Sequence, residues 1–353
     1  MSNKWLKVSA VVVLVAFVVG ACGSTATPAT TNPQGTQAPA AIATTAQSTA
    51  IVKVALLLTG PITDGGWDQE AYDGLEQLKS EKGFQVAYTE NITQDKITET
   101  TTGYADDGYN LIIGHGFEYG SAFLDIAPKY PNQMFFVSSF KPQPNIPKNL
   151  MFADLAYYQA AYGAGALAAL MSTKHIVGFV GGGDNPTQQN MMKAFEYAAK
   201  QTVSGTNGLG VVTGDYNDAS KGREAALTMI GNGADVIWHA ADVTGLGAIE
   251  GAVEGKALVL GCYSDQTNLA PSSMGTSFVM DLGGMVVTLG HDVQNGTFAG
   301  GTEWDPSVKQ MWKLQAVDFD HNSSVIPDAT WTKFLQIWSD LDTGKIKVSA
   351  AIQ

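Results

Sequence analysis

From Ile51 onward the chain alternates short apolar runs with amphipathic stretches. The runs "VKVALLL", "FQVAYTE", "YNLIIGHG", "QMFFVSSF", "HIVGFVGG", "LGVVTGDY", "ADVIWHAA" and "ALVLGCYSD" are β-branched and apolar enough for buried parallel strands. Between them, stretches such as "PTQQNMMKAFEYAAKQ" and "GREAALTMIGNG" carry apolar residues at helical spacing. Repeated βα units predict an α/β fold with parallel sheet covered on both faces. Two extended pieces interrupt the alternation: "NLMFADL" before a helix at Tyr157 to Met171, and "GTSFVMDL" before one at Gly284 to Gln294. Such interruptions argue against a closed barrel. They suit two doubly wound, Rossmann-like lobes joined by several strands, with a third crossing near "QMWKLQAVDFD". The expected division is 51–172 plus about 282–301 for the first lobe, and 173–281 plus about 310–353 for the second.

The ends of these strands hold the candidate chemistry, because open α/β folds bind ligands at the carboxyl edge of the sheet. The first such loop, "TGPITDGGWDQEAYDGL" from Thr59 to Leu75, places Asp64, Trp67, Asp68 and Gln69 between a strand and a helix. A bland reading has Gly65 and Gly66 turning the chain, Asp68 capping the helix and Trp67 packing. Further loops are "GHGFEYG" (114–120), "SSF" (138–140), "GGGDNP" (181–186), "GDYND" (214–218), "HAADVTG" (239–245) and "CYSDQ" (262–266). The rings at these ends are Trp67, Phe117, Tyr216 and Tyr263, and the acids Asp64, Asp68, Asp184, Asp242 and Asp265. Flat rings stack on planar ligands and carboxylates accept hydrogen bonds from N–H and O–H groups, so the pattern predicts a neutral, planar or polyhydroxylated small molecule. Each acid has an alternative use as a helix cap.

Composition narrows the class. The net charge is −13, and no basic footprint for nucleic acid is visible. Motifs of phosphate-binding loops, dinucleotide folds, zinc proteases and serine hydrolases are missing, and no cofactor is expected. Of the five histidines, His115 and His239 fall at loop edges, without the spacing of a metal site. At the start, Lys4 and Lys7 precede an apolar run from Val8 to Ala21 of about 14 residues, short of the roughly 20 that span a bilayer. It ends in "VGAC", which resembles a bacterial lipobox and makes residues 1–21 a signal peptide and Cys22 the lipidated N-terminus. Residues 22–50, rich in Ser, Thr, Ala and Pro, are expected to be a disordered tether. With Cys22 acylated, Cys262 has no disulfide partner and reads as a buried strand thiol.

The stretches "YNDASKGREAALTMIGNGADVIWHAADVTGLGAIEGA" and "GCYSDQTNLAP" carry a closer likeness. The chain from Ile51 to Gln353 resembles the basic membrane protein family of bacterial lipoproteins, solute receptors of ABC transporters whose best-known members bind purine nucleosides. The resemblance implies a type I periplasmic-binding-protein fold. It implies an extracytoplasmic receptor, monomeric and anchored to the cell membrane, which passes a nucleobase or nucleoside to permease and ATPase subunits without chemistry. Trp67 and Tyr216 stand where the family stacks a base, Phe117 in its glycine-rich loop, and Asp68 where it has an amide, with Gln69 kept. Two departures stand out. Tyr263 replaces an acid and Met280 a lysine that are expected to hold the ribose hydroxyls, which favours a free base, a modified nucleoside or another flat heterocycle unless Asp242 or Asp265 takes over the sugar. A sugar receptor, a surface protein that senses or adheres, and a metal-dependent nucleoside hydrolase are the alternatives.

Overall fold

The computed structural model describes residues 51–138 and 144–352. The leader, Cys22 and the tether lie outside the described residues, as do Ser139 and Phe140 of the third loop. In chain order the first elements are β1 (Val52–Leu58), α1 (Trp67–Ser80), β2 (Phe84–Thr89), α2 (Ile97–Asp106), β3 (Leu111–His115), α3 (Gly120–Ile126), β4 (Met134–Ser138) and β5 (Leu150–Ala153). Then come α4 (Tyr157–Met171), β6 (Ile176–Gly181), α5 (Pro186–Thr202), β7 (Asn207–Val212), α6 (Ala219–Gly231), β8 (Val236–Ala240), α7 (Asp242–Glu254), β9 (Leu258–Tyr263) and β10 (Met274–Met280). The chain ends with α8 (Leu282–Asn295), β11 (Thr302–Trp304), α9 (Val308–Met311), β12 (Trp312–Gln315) and α10 (Asp328–Asp342).

The strands form two six-stranded sheets, in the orders β11-β5-β4-β3-β1-β2 and β12-β10-β9-β8-β6-β7. All neighbouring pairs are parallel except β10 with β12. Apolar content sorts the strands. Central β1, β3 and β8 are buried almost throughout, whereas edge strands β2 and β7 alternate with exposed positions, as pairing on one side only demands.

The chain passes between the sheets three times, after β5, after β10 and after β11. The first crossing falls at 154–156, earlier than the sequence led us to expect. Helix α4 packs on α5, α10, β6 and β8 of the second sheet, so it belongs with that lobe and not with residues 51–153. Gly165 of α4 and the Phe195 carbonyl of α5 approach too closely for any side chain, which fixes this pairing. Conversely α8 returns to the first sheet, where Gly283 meets Gly74 of α1 backbone to backbone. Strand β11 was not apparent in the sequence and carries the first lobe to Trp304. The third crossing therefore precedes "QMWKLQAVDFD", whose β12 already lies in the second sheet. Trp312 ties two crossings together, its buried indole N–H donating to the Leu155 carbonyl at 2.7 Å.

Candidate functional site

A cavity of about 170 Å³ lies where the carboxyl ends of both sheets meet, walled by loops that follow β1, β3, β6, β7, β8 and β9 and by the start of α4. The loop after β1 supplies its most heavily used acids. Asp64 is spent on the backbone: Oδ1 accepts from the amides of Gly66 (2.9 Å) and Gln69 (3.1 Å), and Oδ2 from that of Asp68 (2.7 Å). It thus covers the free N–H groups at the start of α1, the task the bland reading gave to Asp68. Asp68 instead turns inward. Its Oδ2 accepts from the Gly60 amide at 2.9 Å, while Oδ1 is buried without a partner. Burial first, then the neighbouring charges of Asp64 and Asp242, push its carboxyl well above the usual range. Gln69 folds back on its own loop, accepting from the Gly65 amide at 3.3 Å, and does not line the cavity.

Trp67 is half-buried and lies on the imidazole of His115, with centroids 4.0 Å apart and an interplanar angle of 15°. His115 Nε2 donates to the Trp67 carbonyl at 3.0 Å, so Nδ1 is free to accept from Ser138 Oγ at 3.2 Å. Burial drives this histidine down to about 3, which keeps it neutral. His115 is thus a prop for the indole and has no lone pair left for a metal. His239, fully buried in β8, donates from Nε2 to Gln266 at 2.9 Å and is held at about 4 by burial. It faces Gly245 of α7 and lies off the cavity.

From the second lobe, Tyr216 lies flat on Gly182 and Gly183, whose missing side chains make room for the ring. Its hydroxyl accepts from Asn185 Nδ2 at 2.9 Å, and Asn185 Oδ1 in turn caps α5 by accepting from the Gln188 amide at 3.0 Å. Asp242 follows β8 with φ of 49°, a left-handed conformation that short polar residues tolerate best. Burial first, then the charge of Asp64, pushes its carboxyl well above the usual range, and its Oδ1 is buried and unpartnered. Tyr263, also left-handed at φ of 69°, ends β9, with its ring centroid 5.6 Å from that of Trp67. Phe117 lines the first-lobe side.

Besides Gln69, two more expected ligand contacts lie off the cavity. Asp184 is exposed and accepts from Gln189 Nε2 at 2.8 Å. Asp265 accepts from the Thr267 amide and hydroxyl with one oxygen and from the Val317 amide with the other, pinning its loop to the turn after β12. The Gln189 and Thr267 bonds are the local kind that aspartate makes at turns, whereas the Val317 bond reaches a distant part of the chain. Conversely, Glu118, Tyr157 and Asn185 line the cavity without having been singled out. Glu118 folds over Gly116, whose φ of 139° admits no ordinary side chain, and burial raises its carboxyl. Its place in "GHGFEYG" was the available signal. Cys262 is a fully buried thiol within β9. Among the described residues no group of three His, Cys, Asp or Glu side chains could hold a metal ion.

The lobes are latched directly. The Gly65 carbonyl of the first loop accepts from Ser264 Oγ at 2.6 Å and from Gln266 Nε2 at 3.4 Å. Gln266 Oε1 meanwhile accepts from His239 and from the Cys262 amide, so the latch is braced in the second-lobe core.

A family model described as ABC transporter substrate-binding protein PnrA-like matches residues 51–351. The chain is similar to Basic membrane protein A2 of Borrelia garinii subsp. bavariensis, 27% identical over 282 residues, covering 78% of this chain and 82% of that one. It is similar along 99% of both chains, at 27% identity, to a Lactococcus lactis protein named ABC transporter nucleoside-binding protein BmpA. Among solved structures, an ABC transporter solute-binding protein from Aeropyrum pernix K1 superposes with a TM-score of 0.75 at 19% identity, covering 84% of this chain and 92% of that one, which establishes the shared two-lobed fold. The chain belongs to the Bmp family of PnrA-like ABC transporter substrate-binding proteins.

Proposed function

We propose that this receptor captures a purine-type base or nucleoside between its lobes and presents it to the permease and ATPase of an importer, held at the outer face of the membrane by a lipid on Cys22. The observation that carries the reading is the pairing of platforms. Trp67, backed by His115, and Tyr216, backed by Gly182 and Gly183, line one cavity from opposite lobes, and Asp68 and Asp242, each with one buried unpartnered oxygen, line it too. An aromatic ring whose far face is already covered offers its near face to a ligand, and buried acceptors demand N–H or O–H donors. The name of the Lactococcus lactis relative agrees with this reading. Trp67, Asp68, Phe117, Tyr216, Asp242 and Tyr263 are the proposed contacts, with Asp64 shaping the loop. Calorimetry with adenine, guanine, hypoxanthine and their nucleosides tests it. Saturable binding of at least one is expected, and binding of a free hexose in place of all six would overturn it.

A further inference from the structure

Three carboxylates face the cavity without serving as helix caps: Asp68, Glu118 and Asp242. Asp68 is 3% exposed and Asp242 9%, and each keeps one oxygen with no partner within the protein. Among the described residues that line the cavity there is no lysine, arginine or histidine. Acids gathered in a low-dielectric pocket repel one another, and that repulsion is relieved only by protons or by an incoming positive charge. A neutral base edge offers one or two N–H donors. Those can satisfy an orphan oxygen but leave the clustered charge unopposed. Five rings, Trp67, Phe117, Tyr157, Tyr216 and Tyr263, line the cavity with the acids, beside uncharged polar side chains such as Asn185 and Thr187. Ring faces attract cations through their negative quadrupole, and the attraction strengthens out of water.

We propose that the preferred ligand carries its positive charge on the ring: a cationic aromatic heterocycle, such as an N-alkylated purine, in preference to its neutral parent. The proposal rests on the ring-binding reading above and narrows it. The ring sits between Trp67 and Tyr216 while Asp68, Glu118 and Asp242 surround its charge. A neutral heterocycle would make the same stacks and leave the acids to be neutralised by protons alone.

Calorimetric titration of the full-length protein in detergent, in mildly acidic buffer, compares adenosine with 1-methyladenosine and guanosine with 7-methylguanosine. In each pair methylation leaves a flat purine nucleoside and makes its ring cationic. The methylated member is expected to bind at least about tenfold more tightly. Asp68→Asn and Asp242→Asn are each expected to narrow that gap, with thermal melts followed by circular dichroism as the control for folding. Glu118→Gln is the third arm, at a residue with a less buried side chain. Equal affinities within both pairs, or a preference for the neutral members, would overturn the charge proposal and leave the ring-binding reading in place. Failure of all four to bind while adenine, guanine or hypoxanthine binds would overturn the charge proposal alone, and failure of those free bases as well would overturn the ring-binding reading and the charge proposal with it.

Discussion

The indole of Trp67 rests on the imidazole of His115, 4.0 Å between centroids, and the same imidazole donates a hydrogen bond to the Trp67 carbonyl. One histidine therefore fixes both the ring plane and the backbone of the loop after β1. A stacked base contributes roughly 1–3 kcal/mol, so Trp67→Ala should weaken ligand binding by about ten- to hundredfold. His115→Ala should weaken it by a smaller factor, since the ring remains but is no longer held in plane. Calorimetry measures both, and Trp67→Ala should keep the fold because the residue is half-buried and opens a helix.

The Ser264 hydroxyl that reaches the Gly65 carbonyl spans the two lobes. Ser264→Ala removes a hydrogen bond of about 1 kcal/mol from the closed form and leaves Gln266 to hold it. Ligand dissociation should quicken several-fold with little change in association, which stopped-flow tryptophan fluorescence would report.

Tyr263 and Met280 stand where related receptors are expected to clamp ribose, and Met280 is fully buried in β10. Free base should accordingly bind at least as tightly as its nucleoside. The double change Tyr263→Asp with Met280→Lys should shift preference toward the nucleoside, whereas Met280→Lys alone buries an unpaired charge and should destabilise the fold by about 3–5 kcal/mol. Chemical denaturation of the single and double variants, beside titration of the double, separates the two effects.

Glu70, in the first turn of α1, is raised to about 7, by burial foremost and then by the charges of Asp73 and Asp281. Its folded value lies above the ordinary 4.5, so the folded state holds the proton more tightly. That contribution is present in full below 4.5 and is lost as pH rises toward 7. Other groups titrate in the same range, so the comparison is with a variant. Glu70→Gln should flatten this part of the curve, gaining on wild type as pH rises, which thermal melts across the range would show.

At the amino terminus the expectation concerns processing. Cys22→Ser should abolish acyl labelling and leave the precursor uncleaved, as mass spectrometry of membrane fractions would reveal.

Much of the architecture was legible because buried parallel strands and the helices between them differ in period. What escaped has particular causes. β11 is a three-residue edge strand, "TEW", with no apolar run to mark it. Helix α4, "YYQAAYGAGALAALM", is rich in small apolar residues, so its pattern names no partner, and its packing on α5, β6 and β8, with Gly165 against Phe195, reveals which sheet it serves. At the site, sequence found the loops but could not separate acids that fold back from acids that point inward. Asp64, Asp184 and Asp265 find donors in nearby turns and, for Asp265, in the turn after β12, whereas Asp68 and Asp242 each leave an oxygen unpartnered. That choice depends on rotamer and backbone geometry, including the left-handed φ of Asp242, which residue type does not encode.

The Gly65 latch has a consequence for signalling. Its donor and acceptor both belong to the protein, so the closed shape has a stability of its own and the solute contributes only the remaining difference. A transporter that senses closure at this seam would read a population ratio, and the threshold concentration for import would then depend on Ser264 and Gln266 as well as on the groups that touch the cargo. Tuning of that threshold can therefore proceed at the seam without altering which molecule is recognised.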